Sequence, residues 1–221
     1  MLYDERAVRD NIRNREGKRV FILGKQDTLT PSARDFLSRE RIPILPPEEA
    51  KPQVWKLLGG GFAQEKPEHL THLNGDTLVA KTHPRIRFRG AVDTLEAELL
   101  LCGPAVEEVL QLVRRLIRCD VLEEPVGEIR LYGLTQEQQR KRSHFPQEHY
   151  GIAHFMPAFS DSPQLLALNR ARCAARAAEL AAVEAFTDRD GRPVREDILQ
   201  AMNRVSSMLY LLMLQEKAGN R

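Results

Sequence analysis

The stretch "KTHPRIRFRGAVDTLEAELLLCGP", Lys81 to Pro104, decides the fold, because two periods compete in it. Counted by twos, basic side chains fall at Lys81, His83, Arg85, Arg87 and Arg89, the pattern of a strand with one solvated basic edge. Counted as a helix, Pro84 stands at a first helical position, and Arg85, Arg89 and Asp93 share one stripe. The apolar residues that follow and the Gly103-Pro104 stop favour the helix. Arg87 then points into solvent, and the five bases are not equivalent.

Helical period continues to the end of the chain. "PAVEEVLQLVRRLIRCDVLEE" places Val106, Val109, Leu110, Leu112, Val113, Leu116 and Ile117 on one amphipathic face. Ser162-Pro163 opens an Ala-rich helix to about Phe186, "TDRDGRP" turns the chain, and Arg195 to Lys217 forms a last helix. Between them, Gln136 to Phe159 contains polar, His and aromatic residues with little periodicity. The fold expected is mainly all-α, an antiparallel bundle of four or five helices over residues 71–221. A small mixed α/β region, residues 1–70, precedes it. There Glu5 to Asn14 reads as a charged helix, "RVFIL" as a strand, and Thr30-Pro31 as a capped helix start. "KLLGGGFAQEKPE" reads as a mobile loop or linker.

Composition narrows the class. A formal charge of +2 over 221 residues is too small for a dedicated nucleic-acid binder, so any basic patch is local. The longest clean apolar run, Met208 to Leu214, is too short to span a bilayer, and the charged N-terminus lacks an apolar signal core, so a cytoplasmic protein is expected. Cys102, Cys119 and Cys173 are odd in number and far apart, without a C-x-x-C, and are expected as three buried thiols rather than a zinc site. Neither a P-loop nor G-x-G-x-x-G, G-x-S-x-G or H-E-x-x-H occurs, and the six histidines, read as loop residues, show no metal-ligand spacing.

Two polar constellations interrupt the helices. Arg172, Arg176 and Glu179 lie on one helical face among alanines, which suits close approach by a helix or ligand. Asn203, Arg204, Ser206 and Ser207 form a polar band inside an otherwise apolar helix, costly unless each group finds a partner.

In combination, "LTPSAR" (29–34), "THLNGDTLVAKTHPRIRFRG" (71–90), "VDTLEAE" (92–98) and "DILQAMNRVSSMLYLLML" (197–214) resemble the ethanolamine-utilisation type of corrinoid adenosyltransferase, in order along nearly the whole chain. The C-terminal part is also similar to the propanediol-utilisation type. That family's R-x-x-x-R-x-x-E pattern falls on Arg172, Arg176 and Glu179, its N-R-[LV]-S on Asn203, Arg204 and Ser206, and its helix-one aspartate on Asp93. "THLNGDT", from Thr71, matches the family's ATP loop only in part. The His and Cys-Cys-x-x-Cys cluster with which many ethanolamine-type members bind a divalent metal has no counterpart in "WKLLGGGFAQEKPEHLTHL", so no Cys-ligated metal is expected.

The resemblance implies attack of cob(I)alamin cobalt on the ribose 5′-carbon of ATP, with the phosphate chain leaving and adenosylcobalamin as product. It implies ATP contacts from Thr71, Lys81, Arg85, Arg89, Asn203 and Arg204, and catalytic roles for Arg172, Arg176, Glu179 and Asp93. Mg²⁺ would screen the phosphates. Phe145, Tyr150 and Phe155 would face cobalamin in place of its lower axial ligand. A homo-oligomer, dimer or trimer, with the active site at a subunit interface is implied. So are a flavoprotein reductase and an adenosylcobalamin-dependent lyase as partners, and association with a bacterial microcompartment. The competing readings are a non-catalytic cobalamin carrier and a helical assembly protein of a metabolic compartment.

Overall fold

A computed structural model describes residues 1–15, 18–47 and 54–219. The chain forms two compact units, Met1–Lys81 and Thr82–Arg221.

The first unit is mixed α/β. In chain order it contains β1 (Leu2–Tyr3), α1 (Glu5–Asn11), β2 (Arg13–Arg15), β3 (Lys18–Ile22), β4 (Thr28–Leu29), α2 (Pro31–Arg39), β5 (Ile44–Leu45), β6 (Trp55–Leu57), β7 (Phe62–Ala63), β8 (Leu70–Asn74) and β9 (Thr77–Ala80). Helix α1 starts where Asp4 accepts the amide of Ala7, and α2 where Thr30 accepts that of Ala33 with Pro31 following, as the Thr-Pro pair predicts. Helix α1 stops at Asn11, short of the expected Asn14, because Ile12 turns extended and β2 pairs antiparallel with β3. Val8, Phe21, Phe36 and Leu37 form the centre of the core.

The glycine-rich stretch expected as a loop or linker is partly ordered as sheet. Strand β7 pairs antiparallel with β6, and the turn between them uses Gly60 and Gly61 at φ 98° and 88°, a region glycine enters without a Cβ penalty. The sheet order is β7-β6-β9-β8, so residues 70–80 hydrogen-bond to their predecessors. The unit therefore ends at Lys81 rather than at residue 70.

The second unit is the helical bundle: α3 (Pro84–Leu101), α4 (Glu107–Leu122), α5 (Gln136–His144), α6 (Pro146–Tyr150), α7 (Pro163–Phe186) and α8 (Glu196–Gly219), with a short hairpin of β10 (Arg130–Leu131) and β11 (Leu134–Thr135) before α5. Pro84 opens α3 as the sequence suggests, with the His83 ring nitrogen Nδ1 accepting the amide of Arg85 as the cap. Cross-helix contacts fix the directions. Arg87 near the start of α3 meets Glu184 near the end of α7, and Gln164 at the start of α7 meets the carbonyl of Cys102 after α3. Ser162, the cap at the start of α7, meets Glu216 near the end of α8, and Asp120 near the end of α4 meets Arg85 and Arg89 near the start of α3. Adjacent long helices thus run antiparallel, the expected bundle.

Packing follows residue size. Helix α7 presents Ala171, Ala175, Ala178 and Ala182, all fully buried, so α3 and α8 approach it closely. Phe88 and Phe186 close one end edge-to-face at 5.3 Å, a geometry worth about 0.5–1.5 kcal/mol beyond burial. Cys102 and Cys119 are buried, and burial pushes both thiols up. Cys173 is exposed, contrary to the expectation of three buried thiols: its place on α7 falls on the side away from the alanine stripe. The histidines are likewise not all in loops: His72 lies in β8, His144 in α5 and His149 in α6. No helix among the described residues is long and apolar enough to cross a membrane.

Candidate active site

Helix α8 buries Ile198, Ala201, Met202, Val205, Met208 and Leu209, and the polar band interrupts this stripe. Its two serines are satisfied locally: Ser206 and Ser207 both donate to the carbonyl of Asn203, at 3.3 and 3.0 Å. Asn203 instead reaches across helices, its Nδ2 donating to Glu179 Oε1 at 2.7 Å. Arg204 donates to Asn203 Oδ1 and, through Nη1, to the Gln136 carbonyl at 3.3 Å. The chain Glu179–Asn203–Arg204–Gln136 therefore ties α7, α8 and α5 together. Arg204 is only 9% exposed, and that burial, with the neighbouring charge of Arg140, lowers its pKa against the opposing pull of Glu179.

The antiparallel packing sets the α7 stripe against the same face of α8. The Arg172 guanidinium lies over the Tyr210 ring at 5.4 Å from its centroid, while Glu179 meets Asn203. Arg176, between them on α7, is exposed and has no hydrogen-bond or ion-pair partner for its guanidinium among the described residues. Arg172, Arg176, Glu179, Asn203 and Arg204 are thus brought to one region of the bundle.

Tyr210 was not singled out from the sequence, although it lies seven residues after Asn203 and hence on the same helix face. Its ring stacks with His154 at 5.7 Å and Phe155 at 6.3 Å, and its hydroxyl hydrogen-bonds His154 Nδ1 at 2.9 Å. Burial raises the Tyr210 pKa, with Arg172 pulling the other way. Of the three aromatics expected to face cobalamin, Phe155 is therefore the one joined to the arginine face. Phe145 caps α5 and is 53% exposed; Tyr150 ends α6, its ring packed on the core. Where α5 and α6 meet α8, buried Gln136 Oε1, Gln139 Oε1, Tyr150 Oη and Arg204 Nε have no hydrogen-bond partner among the described residues.

The α3 residues behave differently from the expectation. Arg85 and Arg89 do not use Asp93, which is exposed. Both donate Nε to Asp120 of α4, Arg85 to Oδ1 at 2.8 Å and Arg89 to Oδ2 at 2.6 Å. Asp120 is fully buried. Its signal in the sequence is position: it continues the apolar step Val109, Val113, Leu116 along α4, where a carboxylate needs a cationic partner. Thr71 and Lys81 belong to the first unit: Thr71 sits in β8 opposite Val79, and Lys81 is exposed with Nζ 3.8 Å from Glu68. No group of three His, Cys, Asp or Glu side chains that could hold a metal ion occurs among the described residues.

What the bundle face offers is permanent positive charge, one amide, one carboxylate and a stacked aromatic group. That defines a class: a helical protein suited to hold and orient an anionic ligand that also carries a flat apolar surface. The chain belongs to the cobalamin adenosyltransferase family, whose model matches residues 62–216, and is an enzyme of that transferase class. It is 31% identical over 241 residues to the corrinoid adenosyltransferase EutT of Salmonella typhimurium, covering 95% of this chain and 90% of the relative. It is 30% identical over the same span to EutT of Escherichia coli. Among solved structures it is similar to a variant PduO-type ATP:corrinoid adenosyltransferase from Lactobacillus reuteri complexed with cobalamin and ATP, at TM-score 0.48 and 17% identity, covering 79% of this chain and 91% of that one.

Proposed function

We propose that this chain transfers the 5′-deoxyadenosyl group of ATP to the cobalt of reduced cobalamin, giving adenosylcobalamin for ethanolamine utilisation. The reading is carried by the conjunction on α7 and α8 of the Arg172–Arg176–Glu179 stripe with the Asn203–Arg204 pair in a chain of this family. Displacement at the 5′-carbon by a strong nucleophile asks little of acid–base groups. It asks for alignment and for charge that stabilises the leaving phosphate chain. Arg172 and Arg176 supply that charge from α7. Glu179 and Asn203, already hydrogen-bonded, orient the nucleoside, and Arg204 holds Asn203 in place. Phe155, backed by Tyr210, takes the face of the corrin. The unpartnered polar atoms where α5 and α6 meet α8 suit the amide-rich edge of a corrinoid. The protein offers no cage of three ligating side chains among its described residues, so Mg²⁺ would be held mainly by nucleotide oxygens.

A second copy of the chain is the proposed cover for the outer face of α3 and α7. Leu100 and Leu101 on α3 and Leu180 on α7 are 56%, 68% and 72% exposed. Asp93, exposed on the same helix, would pair there with an arginine of the neighbour. The cytoplasm, beside the enzymes of ethanolamine breakdown, is the proposed location.

The test is anaerobic incubation of purified protein with ATP, Mg²⁺ and chemically reduced cobalamin. Formation of the light-sensitive cobalt–carbon bond, followed by absorbance, is expected. Tight cobalamin binding without product would favour the carrier reading.

A further inference from the structure

The buried carboxylate of Asp120 is absorbed by no role given so far. It accepts the Nε of two arginines at once, one on each oxygen, and its own backbone carbonyl accepts Arg85 Nη2 at 2.7 Å. The turn that carries it is itself clamped: Arg195 donates to the carbonyls of Cys119 at 3.4 Å and Glu124 at 2.8 Å, and is held by Asp197. Asp120 therefore has little freedom, and the two guanidinium groups are built around it.

Such a triad is a poor device for stability alone. Desolvating three charges costs free energy that apolar residues of similar size would not. The buried carboxylate draws two guanidinium groups to one point, which concentrates positive charge there. Arg85 and Arg89 are 17% and 15% exposed, so each side chain turns its Nε to Asp120 and keeps some contact with solvent. The carboxylate beside Arg85 on the outside, Glu123 Oε1 at 3.6 Å from Nη1, is 56% exposed and weakly held by that pair.

We propose that Asp120 is a positioning residue: it fixes Arg85 and Arg89 side by side as a preassembled receptor for the polyphosphate chain of the nucleotide, with Glu123 as the anion that the polyphosphate displaces. The inference rests on the adenosyltransferase reading for the identity of the nucleotide, but the receptor itself is defined by charge and geometry. Two guanidinium groups held in fixed relation suit a chain of phosphates better than two mobile ones, because less side-chain freedom is lost on binding.

Inorganic tripolyphosphate, titrated calorimetrically into the full-length protein, is the probe. Asp120→Asn keeps the shape and removes the charge that holds both Nε groups. It is expected to weaken tripolyphosphate binding by about tenfold and to raise KM for ATP alike. kcat at saturating ATP and KM for cobalamin should change by less than about threefold. A folded Asp120→Asn protein with unchanged tripolyphosphate affinity would overturn the proposal. So would tighter binding, which would make Asp120 a competitor of the phosphates. Should that variant not fold, Glu123→Gln on the exposed side decides: it should tighten tripolyphosphate binding two- to fivefold on the order of one lost competing charge, and no change there refutes the receptor. Wild-type protein that binds tripolyphosphate but makes no adenosylcobalamin would refute the proposed function and leave the receptor standing. Turnover with tripolyphosphate affinity indifferent to both substitutions would do the reverse.

Discussion

Arginines occupy this bundle in two opposite ways. At the α3–α4 end, Arg85 and Arg89 are mostly buried and locked on a single buried carboxylate. On the α7–α8 face, Arg172 lies over an aromatic ring and Arg176 is exposed with its guanidinium unpartnered among the described residues. The first arrangement is rigid before any ligand arrives; the second can move to meet one. A reaction that develops charge on a leaving group uses both kinds, one to hold the ground-state anion and one to follow the charge as it shifts.

The contrast breaks most visibly at Asp120. Asp120→Ala leaves two buried guanidinium groups without their common partner and should cost about 3–5 kcal/mol of unfolding free energy, read from urea denaturation. At Arg176 the signs exchange: Arg176→Ala should lower kcat by about 10²-fold while the melting temperature stays near wild type. A large stability loss at Arg176 would mean that it is structural and erase the distinction.

Between these extremes lies the His83 cap of α3. Burial, reinforced by Arg85 and Arg89, lowers its pKa below the ordinary 6.5. The unfolded chain therefore takes up the proton first. The stabilising contribution is full above that ordinary value and is lost as the pH falls through the lower folded one, where Nδ1 can no longer accept the Arg85 amide. His83→Asn, a cap that does not titrate, should remove this part of the pH dependence, so that melting curves of the variant recorded on the two sides of the ordinary histidine pKa differ less than those of the wild type. The smallest effect belongs to Arg87, whose pair with Glu184 is solvent-exposed on both sides. Arg87→Ala should change stability by less than about 0.5 kcal/mol and leave KM for ATP unaltered.

Where local rules decide an element, the sequence is readable. Thr30-Pro31, Pro84 and Ser162-Pro163 each open the helix that they announce, because a proline at the first helical position gives up no hydrogen bond. Helix α5 was hidden because "QEQQRKRSH" has no apolar period; it is held by the reciprocal Thr135–Gln138 cap, visible as T-x-x-Q. The R-x-x-x-R-x-x-E stripe and the Asn203-Arg204 pair were legible as helical faces, but Tyr210 needed the face followed two turns further. The Arg85–Arg89–Asp93 stripe has the right helical spacing and the wrong carboxylate. A surface pair along one helix gains little in water, whereas Asp120, out of water on the neighbouring helix, needs both arginines. No rule confined to one helix contains that comparison.

The alanine stripe of α7 also acts as a gauge. Glu179 and Asn203 belong to different helices, and the 2.7 Å bond between them exists only because Ala175, Ala178 and Ala182 let α8 come so near. The width between the two groups proposed to orient a nucleoside is thus set by methyl groups on the dry side of the helix, next to Arg176 and Glu179 in sequence but buried against the neighbouring helices. Substrate fit can therefore drift through changes that never enter the site, and a valine at one of those alanines would act as a spacer, widening the grip while leaving every polar group in place.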